Sequence, residues 1–252
     1  LISIGTAVVP IQGRHPVPLA QQALTVADAA GPGRFTLGVG VTHAVVSETF
    51  YGFPYRDAVA LCREELEALV GLLGPDRHAD LTGQYVSTHA TLSVVGDAPS
   101  LVVAALGPKM LELGGSLTDG TVTWMTGPVA LDKTVVPSIT AAASRAGRGA
   151  PRVIAGLPVC VTDNPAAARD AVRPRIEGAA RMPSYRRQLS AEGLDDLADL
   201  AIVGDAGTVT ARVEALAEIG VTELMADVFG TEDEREETKR VLTGLGRGGT
   251  LA

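Results

Sequence analysis

Residues 101–127, LVVAALGPKMLELGGSLTDGTVTWMTG, decide the fold. An apolar run from Leu101 to Leu106 stops at Gly107-Pro108, and a helix-like segment follows. A second β-rich run, Thr121 to Met125, stops at Thr126-Gly127-Pro128. The pattern predicts strand, tight turn, helix, strand and turn: a βαβ unit with both turns at the carboxyl ends of strands. Pro108 suits the first helical position, where its missing N–H would go unpaired in any case. The free amides beyond it, with Gly107 allowing close approach, make a ready anion site. A Gly-Pro pair also serves simply to end a strand and open a helix, and the local pattern stays open between the two.

The same alternation extends in both directions. Ser3 to Val9 reads as a buried strand closed by Pro10, and Leu19, Ala23, Val26, Ala27 and Ala30 mark a helix ended by Gly31-Pro32-Gly33. Phe35 to Val41 is the next strand, whose Gly38 and Gly40 let something approach its backbone. Asp57 to Leu73 is an amphipathic helix with Asp57 as N-cap and Val59, Cys62, Leu66, Leu69, Val70 and Leu73 on one face. Residues 80–95 alternate and read as an inserted hairpin. Helix over 131–146, strand over 152–161 and a helical region over 165–201, broken at Met182-Pro183 and Gly193, come next. Helix 207–219, strand 222–228, helix 233–245 and a frayed tail after Gly246 complete the chain. Six strand–helix repeats imply a parallel sheet, either doubly wound or a (β/α)8 barrel. Residues 80–95 and 180–205 stand as insertions in it.

Composition narrows the function classes. The chain has 252 residues, 46% of them hydrophobic, and a formal net charge of −8. The apolar share is ample for a core, and the charge argues against a nucleic-acid or anionic-membrane surface. Cys62 and Cys160 lie far apart in apolar patterns and read as reduced core residues of a cytoplasmic protein. No membrane span or signal peptide is expected. The chain opens on Leu1 inside a strand-like run, which suggests the later part of a longer protein.

Few residues offer chemistry. His43 follows Gly38-Val39-Gly40-Val41-Thr42, at the carboxyl end of a strand, where ligands gather in both candidate folds. It could be a general acid or substrate hydrogen-bond donor, or a surface histidine with no task. Arg14-His15 follows another strand end and reads best as a solvated loop pair. The histidines have no metal-ligand spacing, so no metal is expected. There is no nucleophile elbow, no dinucleotide fingerprint and no Walker loop. The acids at 195–196 and 232–237 read as structural helix starts. Trp124 fits either the core or the wall of a flat cofactor's pocket.

Six stretches carry a family resemblance: GTAVVP (5–10), RHP (14–16), GRFTLGVGVTH (33–43), YGFPY (51–55), LVVAALGPKMLELGGSLTDGTVTWMTGP (101–128) and GLPVCVTD (156–163). In this order they resemble the luciferase-like monooxygenase superfamily, and more closely its actinobacterial branch that uses the deazaflavin coenzyme F420. The resemblance implies a single luciferase-like (β/α)8 barrel domain over 1–252 that lacks about the first quarter of a family member, its first two βα units. It implies a non-prolyl cis peptide within Thr6-Ala7-Val8, behind the coenzyme ring, and counts Gly40 among the cofactor-binding residues. Ala105, Gly107, Pro108 and Lys109 match the segment around the phosphate-bearing tail, and Met125, Thr126 and Gly127 the next phosphate-side turn. The two turns are expected to converge on one rim. His43 falls where some relatives place an acidic proton donor.

The expected activity is hydride transfer between F420 and a small organic substrate by a homodimer, with His43 as proton donor. An FMN-dependent monooxygenase on the same barrel is the alternative within enzymes. A truncated, catalytically silent cofactor-binding or oligomerisation module is the alternative outside them.

Overall fold

The computed structural model describes residues 2–94 and 96–247. Leu1 and the tail beyond 247, on which two of the expectations fall, lie outside the described residues. The chain divides into two compact units, residues 1–121 with 141–151 and residues 122–140 with 152–252.

In the first unit the strands of the main sheet are parallel. β1 (Ile4–Gly5) and β2 (Val9–Pro10) both pair with β3 (Phe35–Gly40), in register Ile4 to Phe35 and Val9 to Val39. β3 pairs in turn with β6 (Ser100–Ala104), Val39 opposite Val103. The expected single buried strand over 3–9 is therefore two short pieces, exposed or half-buried, separated by a cis peptide between Ala7 and Val8. With β1 at the end of the strand order, Ile4 is left half exposed.

Helices α1 (Pro16–Ala30) and α2 (Ala58–Leu73) supply the core of this unit. Leu19, Leu24, Leu66, Leu69 and Leu72 pack with Leu37, Leu101, Val103 and Leu113 and are nearly inaccessible. Val26 and Val70, placed on buried faces by periodicity, are exposed instead, and Leu24 and Leu72 take the inner positions. The Asp57 carboxylate caps α2 by accepting from Ala60 N at 3.2 Å, as the sequence predicts. Helix α1 starts three residues earlier than expected, because His15 Nδ1 accepts from Val17 N at 3.2 Å.

The inserted hairpin is present as antiparallel β4 (His78–Thr82) and β5 (Ser87–Thr91). Its tip is clasped from α2: the Glu64 carboxylate accepts from Gln84 N at 2.9 Å, Tyr85 N at 2.7 Å and Val86 N at 2.8 Å. Burial would raise the Glu64 carboxyl, but these three amides outweigh it and hold it below its usual range. His15 Nε2 lies 3.0 Å from the Ser87 carbonyl, so this histidine is a structural link rather than a solvated loop residue.

Helix α3 (Pro108–Leu117) starts at Pro108 as predicted, and β7 (Gly120–Trp124) follows it. The second unit is built on β8 (Arg152–Val161), which matches the predicted strand. β9 (Ile202–Gly204) pairs with its carboxyl end and β10 (Glu223–Val228) with its length, both parallel. Around these strands run α4 (Pro128–Ala130), which passes through a π-helical turn, Leu131–Val135, into α5 (Val136–Arg145). α6 (Pro165–Ala180) and α7 (Pro183–Glu192) follow, separated at Met182 as predicted. α8 (Ala206–Glu218) and α9 (Glu232–Arg247) complete the unit. The sequence reading missed β9, which has only three residues. Cys62 and Cys160 are both free and fully buried. Among the described residues no helix is long and apolar enough to cross a membrane, and no group of His, Cys, Asp or Glu is arranged to hold a metal.

Candidate coenzyme-binding turns

In the first unit the chain from Thr6 to Val8 lies against β3. Thr6 Oγ1 donates to the Gly38 carbonyl at 2.8 Å and accepts from Gly38 N at 2.9 Å. A Cβ on Gly38 would stand 2.0 Å from the Thr6 carbonyl oxygen. A Cβ on Gly40 would stand 2.8 Å from Ala104 Cβ and 3.1 Å from Val8 Cγ2. The close approach predicted at both glycines is thus made by this protein's own chain. Gly40, expected to touch the cofactor, is buried and seats Val8 instead. Ala7 remains exposed beside its cis peptide.

His43 stands just beyond the carboxyl end of β3, half-buried. Gln12 fixes the approach to it, its Oε1 accepting from Thr42 N at 2.9 Å. The His43 carbonyl accepts from Val46 N and Ser47 N, both at 2.9 Å, and a π-helical turn follows over Val46–Phe50. Burial lowers the pKa of the imidazole, which favours its neutral form at pH 7. Neither Gln12 nor the π turn was foreseen: the Gln12 contact joins residues thirty apart, and the π turn carries no turn-residue signal in its sequence.

The turn between β6 and α3 is open. Gly107 is the N-cap of α3, no side chain caps the helix, and a Cβ on Gly107 would meet nothing within 4 Å. Pro108 and Lys109 are exposed, while Ala105 is buried. An uncapped helix start with room in front of it suits a phosphate group.

The matching turn of the second unit differs. Met125 takes a left-handed conformation, with φ at 51°, and donates its N–H to the Gly156 carbonyl at 3.0 Å. Met125, Thr126 and Gly127 are all buried. The helix that starts at Pro128 is capped from α7: Glu192 Oε1 accepts from Ala130 N at 2.7 Å and Oε2 from Val129 N at 3.2 Å. A Cβ on Gly127 would fall 2.4 Å from the Glu192 carboxyl carbon. The amides expected to be free here hold a carboxylate of the chain itself. Trp124 is half-buried and lies against Gly156, whose added Cβ would stand 2.8 Å from its ring.

Parallel strands alternating with helices, with glycine turns beyond their carboxyl ends, define an α/β protein. The chain belongs to the luciferase-like monooxygenase family, which it matches over residues 1–223. It is 30% identical over 212 residues to the F420-dependent glucose-6-phosphate dehydrogenase of Beutenbergia cavernae, covering 81% of this chain. It spans 61% of the length of that dehydrogenase. Its fold is that of an F420-dependent secondary alcohol dehydrogenase solved with an F420-acetone adduct, at a TM-score of 0.79 and 19% identity, covering 96% of this chain and 79% of the other. It is also that of the oxygenating constituent of 3,6-diketocamphane monooxygenase of Pseudomonas putida, solved with FMN, at a TM-score of 0.73 and 18% identity, covering 96% of this chain and 78% of the other. The fold class is thus the luciferase-like (β/α)8 type.

Proposed function

We propose that this chain belongs to an F420-dependent oxidoreductase that moves a hydride between the deazaflavin and a small organic molecule. The observation that carries this reading is the likeness to a dehydrogenase named for F420, which runs over most of the chain and includes the open Gly107 turn. The turn fits a phosphate-bearing tail: Gly107 leaves room, the first-turn amides of α3 have no side-chain cap, and Lys109 adds a positive charge.

When bound, the coenzyme supplies the hydride chemistry. The backbone of Thr6, Ala7 and Val8, braced on β3 by Gly38 and Gly40, supports its ring. Ala105 backs the tail segment, and Gly107, Pro108 and Lys109 take the phosphate. Met125, Thr126 and Gly127, in the second unit, are the further turn that the family resemblance assigns to the coenzyme, and there Glu192 holds the first helical amides. His43, placed by Gln12 and the turn after it, takes the substrate proton at its neutral imidazole and, in the reverse direction, gives it from the imidazolium. The assembly is a homodimer that takes a small-molecule substrate.

Separate absorbance titrations of the protein with F420 and with FMN test this. Binding of F420 supports the reading. Tight FMN binding without F420 binding replaces it with an FMN-dependent monooxygenase, the reading that likeness to an FMN-bound monooxygenase favours. Binding of neither leaves a silent module. Size-exclusion chromatography with light scattering checks the dimer.

A further inference from the structure

We infer that Arg169 and Arg212 form an oxyanion site within the second unit, beside the amino end of β9, which takes a tetrahedral anion such as inorganic phosphate or sulfate. The site is separate from the coenzyme turns, which lie beyond the carboxyl ends of strands, and it stands whether or not the protein binds F420.

Neighbouring arginines show how a satisfied guanidinium is held in this unit. Arg152 donates from Nε and Nη2 to the two Glu223 oxygens at 2.6 and 2.7 Å. Arg173 donates from Nε to Asp196 at 2.6 Å and also pairs with Asp170. Arg169 and Arg212 have no such fork. Arg169, on the second turn of α6, reaches only Asp199, whose Oδ1 lies 3.6 Å from its Nε, too far for a hydrogen bond. That Nε is buried and has no hydrogen-bond partner among the described residues. Arg212, on α8, donates from Nη1 to the Ala201 carbonyl at 2.8 Å, and no carboxylate pairs with it among the described residues. The chain has 29 acidic residues against 21 basic ones, so the missing counter-charge is not for want of acids.

The two guanidinium groups are also close enough to repel. The pKa of Arg212 is lowered, by burial first and by the Arg169 charge second. Two like charges half-withdrawn from water and served by one loosely held carboxylate are a cost to the fold. An anion between them removes that cost. Its chemistry follows from the donors. Each guanidinium presents a planar fork of N–H groups and no acceptor, so the ligand must accept from two directions at once. A carboxylate has two oxygens and fills one fork. Phosphate and sulfate have a third and fourth oxygen for the other, which makes them the class that fits. The arginines come from α6 and α8, and Asp199 from the 3-10 turn Leu197–Leu200 just before β9, so an anion here would tie three separate segments together.

Thermal unfolding of the intact protein against phosphate, sulfate and, at matched ionic strength, chloride tests the site. The unchanged chain is compared with Arg169→Gln, Arg212→Lys and Gly107→Asp, the last of which closes the open turn of the first unit to phosphate. Phosphate and sulfate should raise the Tm of the unchanged protein and of Gly107→Asp alike, beyond the effect of chloride. The apparent Kd for phosphate should rise about ten-fold in Arg169→Gln, which loses one charge-assisted fork. Arg212→Lys, which keeps the charge and loses the fork, should fall between. A second sign separates the site from a merely structural ion pair. In chloride alone Arg169→Gln should be at least as stable as the unchanged protein, because it relieves the repulsion, and in saturating phosphate it should be the less stable of the two. An Arg169 that serves only Asp199 would lower stability on removal in both media, and that result overturns the site. So do protection that chloride matches, phosphate responses equal in all four proteins, and protection lost in Gly107→Asp but kept in the arginine variants. Should Arg212→Lys fail to fold, Arg169→Gln, at a side chain 33% exposed, decides by the same comparisons.

Discussion

Replacing Glu65 should make the protein more stable, and increasingly so as pH rises. Glu65 lies on α2 with no accessible surface, and neither carboxylate oxygen has a hydrogen-bond partner among the described residues. Burial raises its pKa from 4.5 to about 8. Its neighbour Cys62 is pushed up to about 12, by burial first and by the Glu65 charge second. Between the unfolded and folded values the native state keeps a proton that the unfolded chain releases. Stability therefore falls as pH rises from about 4.5 to about 8 and levels off above that. At about 1.4 kcal/mol per pH unit, the loss reaches about 3 kcal/mol at pH 7 and about 5 kcal/mol on the alkaline plateau. These are ceilings, because water reaching the carboxylate would relieve part of the penalty.

Glu65→Leu removes the ionisation and fills a similar volume. Glu65→Gln removes only the ionisation and leaves a buried amide that costs about 1–3 kcal/mol at every pH. Urea unfolding at pH 5 to 9, followed by Trp124 fluorescence, should show unchanged protein and Glu65→Leu diverging with pH, and Glu65→Gln parallel to Glu65→Leu. A constant gap between unchanged protein and Glu65→Leu across that range would refute the reasoning, since it would mean that Glu65 ionises alike in both states.

Four further outcomes follow from the geometry. Gly38→Ala should lower stability by about 3 kcal/mol or abolish soluble yield, because its Cβ meets the Thr6 carbonyl at 2.0 Å; urea unfolding measures it. Gly107→Asp should stabilise α3 by about 1 kcal/mol as a new N-cap while weakening F420 binding, and a titration showing unchanged affinity would remove this turn from the site. Glu64→Ala should cost about 3 kcal/mol and speed amide exchange at 84–86. In the unchanged protein the same clasp should weaken in acid, since a carboxyl held below its usual range contributes above its unfolded pKa and is lost as pH falls through the folded one. His43→Gln should keep F420 affinity and lose turnover, together with the limb of the pH profile that the lowered imidazole pKa places on the acid side.

The strand–helix alternation was legible because it depends on local grammar. Pro108, Pro165 and Pro183 each open a helix where the sequence places one, and Asp57 caps where expected. The misreadings have long-range causes. The run 3–9 is apolar enough for one buried strand, but pairing with β3 at two separate points splits it around a cis bond. Val70 follows the apolar period of α2, yet the packing partners favour Leu72. β9 is too short to show a period. His15 is an unusual helix cap, and its second contact lies 72 residues away. At the site, the open turn could be read from Gly107-Pro108, but the occupant of its counterpart could not. Glu192 is 62 residues from Ala130, and nothing in the sequence around either one points to the other.

The hairpin tip offers a caution for protein engineering. Surface tips usually tolerate peptide tags and foreign loops, since their backbone is satisfied by water. Here three consecutive amides at 84–86 are spoken for by a single carboxylate on α2, and the strand beyond is tethered through His15. An epitope spliced in at that apex would unhook the insertion from both helices at once.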